Sequence, residues 1–290
     1  MSMRLYDAHN HLQDERFGGR QSDLLATCAE TGVVVMVVNG SCEADWPQVL
    51  ALTQSSEQSS ALRIIPSFGY HPWYIHERTA DWSKHLAHFL DLIPSAVGEI
   101  GLDRWKPGLA YDGQEEVFIT QLRLAADRNL PVSIHCLQAW GRMREILQTE
   151  PRPARGFLLH SYGGPKEMVR PLADLGAYFS LPGFYAHERK TRQRETFQQV
   201  PAERLLIETD APDQKLPELP KAEGEARGAE ARDFFGDAMI YPLTDPASGQ
   251  ALNHPANLAA VYAFAAELRG VTGETLSAQV ERNFLRLFGK

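Results

Sequence analysis

Eight short apolar runs rich in β-branched residues recur along the chain, and stretches with helical periodicity lie between them. The runs occupy residues 4–6, 33–38, 62–68, 96–100, 131–134, 156–159, 177–180 and 205–208. A near-continuous apolar strand belongs in a parallel sheet, because both of its faces meet helices rather than water. Residues 115–128 show the intervening pattern, with Val117, Phe118, Leu122, Leu124 and Ala125 set at helical spacing. Strand and helix in alternation require parallel strands with crossover helices. Eight such units predict an α/β fold, a (β/α)8 TIM barrel, over an open doubly wound sheet. Amphipathic stretches at 257–268 and 275–288 would complete the outer ring. The whole of 1–290 reads as one barrel domain.

One segment interrupts this rhythm. Residues 213–250 carry Pro, Gly, Ala, Glu and Lys with little apolar periodicity before Phe234-Phe235. Following the eighth strand, this insertion would lie at the C-terminal mouth of the barrel, as a substrate-shaping lid or as a surface loop without a role.

The formal charge is 29 − 37 = −8, which argues against a surface built for long-range, non-specific duplex binding and leaves room for a local basic patch. The three cysteines, Cys28, Cys42 and Cys136, form no CxxC pair, so a reducing, cytoplasmic setting is expected. The longest apolar run is far too short to cross a bilayer, and neither a membrane nor an obligate protein partner is expected.

The first run ends in Asp7-Ala8-His9-Asn10-His11. In an extended chain His9 and His11 share a face and can share a metal ion, although the pair alone is close to chance. In an α/β barrel the chemistry sits at the C-terminal strand ends. Those positions also carry His71, Glu99, Asp103, His135, His160 and Asp210. A carboxylate in an apolar strand is costly unless paired or metal-bound, which applies to Glu99 and to Asp210. Four imidazoles (His9, His11, His135, His160) and the two carboxylates exceed one tetrahedral site. They suit two divalent ions roughly 3.5–4 Å apart. The nitrogen-rich set favours zinc, manganese, iron or nickel over magnesium.

Three blocks, Asp7-Ala8-His9-Asn10-His11, Gly69-Tyr70-His71-Pro72 and Gly98-Glu99-Ile100-Gly101-Leu102-Asp103, resemble signatures of the TatD family of metal-dependent hydrolases in the amidohydrolase superfamily. So do residues 131–135, Glu208-Thr209-Asp210-Ala211-Pro212 and the closing Asn283-Phe284 with Leu287-Phe288. The resemblance implies a divalent-metal-dependent deoxyribonuclease, exonuclease-like, acting on single-stranded DNA or another phosphoester. It implies that His9, His11 and Asp210 hold one metal, His135 and His160 the second, and Glu99 both. His71 would contact substrate rather than metal. Catalytic duties would then fall to Asp210, Glu99 and His71, with Asp210 as general base. Arg104, Lys106, and Arg189 and Lys190 in the run 187–194 would offset phosphate charge.

The chain departs from the family pattern at Leu137, where an Arg is usual, at His160-Ser161-Tyr162-Gly163-Gly164, and at Asn253-His254-Pro255 in place of Asn-Glu-Pro. The same metal centre acting on a lactone, amide or phosphotriester is the alternative, with a non-catalytic metal-binding scaffold behind it. Asp7 reads as an anchor, Asn39 as a hydrogen-bonding support, Cys136 as core, and Trp73 as packing its loop. His76, His85, His88 and His187 are expected to face solvent.

Overall fold

All eight apolar runs form strands of one parallel sheet whose spatial order follows the sequence. A computed structural model describes residues 3–59, 62–218 and 234–289. The strands are β1 (Leu5–Asn10), β2 (Val33–Asn39), β3 (Arg63–Phe68), β4 (Ala96–Asp103), β5 (Val132–Leu137), β6 (Phe157–Leu159), β7 (Ala177–Pro182) and β8 (Leu205–Glu208). The sheet curls into a nearly closed barrel. Its seam is held at the C-terminal end, where Asp210 N donates to His9 O at 3.0 Å and His11 N to Ala211 O at 2.8 Å.

Five strands run further than their apolar stretches, β1, β4 and β5 by three residues or more and β2 and β7 by one or two. β1 continues through Asp7, His9 and Asn10, and β4 continues through Leu102 and Asp103, with every residue of both strands buried. Polar side chains are tolerated there because each finds a partner, as the site geometry below makes plain. Gly101 in β4 has φ 153°, and a Cβ at this position would fall 1.9 Å from His135 O, so glycine is what lets β4 and β5 approach.

The helices are α1 (Gln21–Glu30), α2 (Trp46–Ser59), α3 (Trp82–Leu92), α4 (Gln114–Arg128), α5 (Trp140–Thr149), α6 (Val169–Asp174), α7 (Thr191–Gln199), α8 (Leu258–Arg269) and α9 (Gly273–Phe288). The final helix illustrates their construction. Thr272 caps it by accepting from Thr275 N at 3.2 Å. It buries Leu276, Val280, Phe284 and Leu287, spaced for one face, against β1 and β8. Phe284 meets Tyr6 at a ring separation of 5.0 Å. Truncating such a buried Phe to Ala costs about 3–5 kcal/mol.

The described parts of the insertion include β9 (Pro242–Thr244), which pairs with β10 (Ala251–Asn253) just beyond it, and Phe235, buried beside Phe264 of α8. Residues 219–233 of the segment expected to form a lid lie outside the described residues.

Candidate metal centre

Strand ends β1, β4, β5, β6 and β8 converge on the Glu99 carboxylate, which is 2 % exposed. Its Oε2 lies 3.1 Å from His11 Nε2 and 3.3 Å from His9 Nε2. Its Oε1 lies 2.8 Å from His160 Nε2, 3.0 Å from His135 Nδ1 and 3.3 Å from His71 Nε2. Asp210 joins the first set, with Oδ1 at 3.6 Å from His9 Nε2 and 3.8 Å from His11 Nε2. Each oxygen of one carboxylate thus faces its own group of imidazoles.

This donor set fits divalent ions. Tetrahedral coordination with bonds of about 2.1 Å puts ligand atoms roughly 3.4 Å apart. Distances of 3.1–3.8 Å separate the Nε2 atoms of His9 and His11 from Glu99 Oε2 and Asp210 Oδ1. Glu99 Oε1 is buried and makes no aligned hydrogen bond, although three ring nitrogens surround it. A buried carboxylate oxygen left without an aligned donor among ring nitrogens is what a cation would satisfy. Among the described residues, the groups able to hold an ion are His9–His11–Glu99, His71–Glu99–His135 and His9–His160–Glu208.

The far nitrogen of each ring helps decide what the near one can do. His11 Nδ1 donates to Asn39 O at 2.8 Å, and His135 Nε2 donates to Asp103 Oδ2 at 3.0 Å. His9 Nδ1 lies 2.7 Å from Ser133 Oγ. In a neutral ring, spending the N–H on Asn39 O or Asp103 Oδ2 leaves a lone pair on the nitrogen that faces Glu99. His71 is arranged the other way. Trp73 N donates to its Nδ1 at 3.2 Å, so the neutral ring carries its hydrogen on Nε2, toward Glu99 Oε1. His71 therefore presents a donor to the site, although it stands where a ligand could.

Supporting carboxylates fix the walls. Asp103 also accepts from Trp73 Nε1 at 2.6 Å, Trp105 N at 2.6 Å and Lys106 N at 3.0 Å. Asp7 accepts from Thr209 N at 3.0 Å, Thr209 Oγ1 at 2.6 Å and Asn10 Nδ2 at 3.2 Å, which pins β1 to the end of β8. Glu208 accepts from Ser161 N at 2.8 Å and from the Ser161 and Ser180 hydroxyls. Gln214 Nε2 donates to Asp210 Oδ2 at 2.7 Å. Asp210 itself is held at φ 52°, a left-handed backbone that a non-glycine residue adopts at a cost of about 1 kcal/mol or more.

Burial opposes ionisation of Glu99, but His160, His71 and His9 outweigh it and hold the carboxyl well below its usual range. Burial pushes Asp210 up to about 7, with Glu208 and Glu99 adding to the rise. Burial and His160 lower His9 to about 3. His11 resists its own burial through Glu99 and Asp210 and rises to about 9.

The residues expected at the mouth divide into two places. Arg104 is exposed after β4, its guanidinium 3.8 Å above the Tyr111 ring. Arg189 and Lys190 precede α7, stacked on Phe184 at 5.3 and 4.6 Å. Arg189 lines a cavity of about 1160 Å³ together with Arg16, Lys215 and Gln214. Asn39 supports the site through its backbone carbonyl, not its side chain. Trp73 forms part of the wall, edge-on to His71. Cys136 is buried, and burial raises its thiol pKa. His76, His85 and His88 are exposed, whereas His187 is half-buried with Nε2 3.2 Å from Lys215 O.

Sequence reasoning assigned no role to Ser133, Glu208 or Gln214 and left Asp103 without one. Ser133 had a signal, since it sits two residues before His135 and therefore on the same strand face. Glu208, a carboxylate closing an apolar strand, met the criterion already applied to Glu99.

Comparison with known proteins identifies the family. The family model described as TatD related DNase matches residues 6–289. The chain is similar to a protein of Citrobacter koseri described as 3'-5' ssDNA/RNA exonuclease TatD, at 31% identity over 98% of this chain and 99% of the relative. It is 29% identical to the Escherichia coli K12 protein of the same description, over 98% and 99% of the two chains. Among solved structures, a TatD homologue from Escherichia coli K12 superposes with a TM-score of 0.81 at 24% identity, covering 100% of both chains.

Proposed function

We propose that this chain, which belongs to the TatD related DNase family, is a divalent-metal-dependent phosphodiesterase that removes nucleotides from single-stranded DNA. One observation carries the reading: the two oxygens of Glu99 face two separate imidazole sets, at 3.1–3.3 Å and 2.8–3.3 Å. A carboxylate shared in this way suits a pair of ions. His9, His11 and Asp210 would hold one, His135 and His160 the other, and Glu99 both. When bound, such ions polarise a phosphoryl oxygen and lower the pKa of a water at neutral pH.

The chain's own side chains supply the remaining steps. Asp210, steadied by Gln214 at 2.7 Å, accepts the proton of the attacking water and returns it to the leaving oxygen. His71 Nε2–H points into the site and donates to a phosphate oxygen as charge builds there. Arg104, Arg189 and Lys190 at the rim draw in the polyanionic strand. The relatives' description supports a 3′-to-5′ direction, with RNA as a further substrate.

The test is an assay on the protein reconstituted with zinc, manganese or magnesium, using single strands labelled at either end. A 3′-to-5′ enzyme releases a labelled mononucleotide at once from the 3′-labelled strand and progressively shortens the 5′-labelled one. Hydrolysis confined to a lactone, amide or phosphotriester would assign the centre to a different substrate.

A further inference from the structure

The loop after β4 sets an exposed aromatic side chain between two exposed cations. Trp105 is 55% exposed, and it is the one aromatic among the large exposed hydrophobic residues in the described parts of the chain. A tryptophan normally hides most of its surface, so its exposure beside a catalytic mouth calls for a partner. On either side stand Arg104 and Lys106, both exposed. Each is stacked on an aromatic face, Arg104 on Tyr111 and Lys106 on Trp73, both at 3.8 Å. Stacking fixes where the charges sit while leaving them open to solvent. In a chain of net charge −8 this is a local cationic and aromatic patch.

The patch is tied to the metal centre through one side chain. Asp103 Oδ1 accepts from Trp105 N at 2.6 Å and from Lys106 N at 3.0 Å, while its Oδ2 accepts from His135 Nε2 at 3.0 Å. The loop is thus held at a fixed offset from the imidazole that faces Glu99. A single strand needs two things from a surface, a flat apolar face for a base and cations for the adjoining phosphates.

We propose that residues 104–106 form a nucleotide subsite for single-stranded DNA or RNA, with the Trp105 indole stacked on one base and Arg104 and Lys106 against the flanking phosphates. The proposal rests on the phosphodiesterase reading and deepens it, placing a base of the strand beside the scissile position. It predicts that long single strands bind more tightly than short phosphodiesters that cannot reach Trp105.

The test measures fluorescence anisotropy of a labelled phosphorothioate oligothymidylate, which resists hydrolysis, bound to the metal-loaded protein. Removing a stacked base partner weakens binding about fivefold or more, so Trp105→Ala should raise Kd by at least that factor and Trp105→Phe by less. Replacing Arg104 and Lys106 by Gln together should flatten the dependence of Kd on salt. An unchanged Kd in Trp105→Ala, or no binding by the wild-type protein, would overturn the subsite. Loss of self-association in Trp105→Ala with oligonucleotide affinity intact would overturn it too, assigning the patch to a protein partner. Tight oligothymidylate binding without hydrolysis of natural strands would refute the nuclease reading and leave the subsite standing.

Discussion

Asp103 Oδ2 accepts from His135 Nε2 at 3.0 Å, and this contact turns the other nitrogen of the ring, Nδ1, toward Glu99. An orienting carboxylate fixes both the tautomer and the angle of a ligating imidazole. Asp103→Asn should therefore weaken metal binding about 10–100-fold at the His135–His160 side. Titration calorimetry with zinc or manganese reads this directly, and two unaltered binding steps would argue against an orienting role.

Asp210 turns Oδ1 toward His9 and His11, at 3.6 and 3.8 Å, while Gln214 holds its Oδ2 at 2.7 Å. A general base at this position would contribute about 10²–10⁴ in rate. Asp210→Asn should keep most bound metal while kcat falls by that factor. Turnover within a few-fold of wild type would remove Asp210 from proton transfer.

How much of this was legible in the sequence depends on the kind of contact. The strands were readable because parallel strands must be apolar on both faces. Their ends were read short in β1, β4 and β5 because Asp7, His9, Asp103 and His135 are polar, and their partners lie far away in sequence. The residues that meet around Glu99 were readable for a related reason. His9 and His11 follow strand periodicity, and buried Glu99 and Asp210 demand compensation. The supporting residues were harder: Ser133 meets His9 across 124 positions, and Asp103 meets His135 across 32. Only the closed barrel brings such pairs together. The tautomer of His71 depends on a backbone amide two residues away, and side-chain identity alone does not reveal where that amide points.

The seam between β1 and β8 gives a stability prediction. Thr209 Oγ1 donates to fully buried Asp7 at 2.6 Å. Thr209→Val keeps the shape and removes the donor, leaving a buried carboxylate oxygen short of a partner at a cost of about 1–3 kcal/mol. Urea denaturation should show a lowered midpoint with an unchanged slope. An unchanged midpoint would mean that the seam draws nothing from this bond.

His254 stands where the family pattern has Glu, and its Nδ1 accepts from Ala256 N at 3.0 Å at the start of a short helical turn. Burial, and to a lesser extent Arg20, lower its pKa from 6.5 to about 4. Between those values the unfolded chain binds the proton more readily, so stability falls as pH drops below 6.5 and the contribution is complete above it. The loss is at most about 1.4 kcal/mol per pH unit. His254→Gln should therefore lose stability less steeply than wild type over this window. Parallel profiles for the two proteins would show that His254 is not the titrating group.

The central claim is that Glu99 serves two metal ions at once, with Oε2 toward His9 and His11 and Oε1 toward His135 and His160. Elemental analysis of the reconstituted wild-type protein and of Glu99→Ala, dialysed side by side, tests it most directly. The account predicts about two equivalents of divalent metal in the wild type and one or fewer in the variant. Two equivalents retained by Glu99→Ala would contradict it.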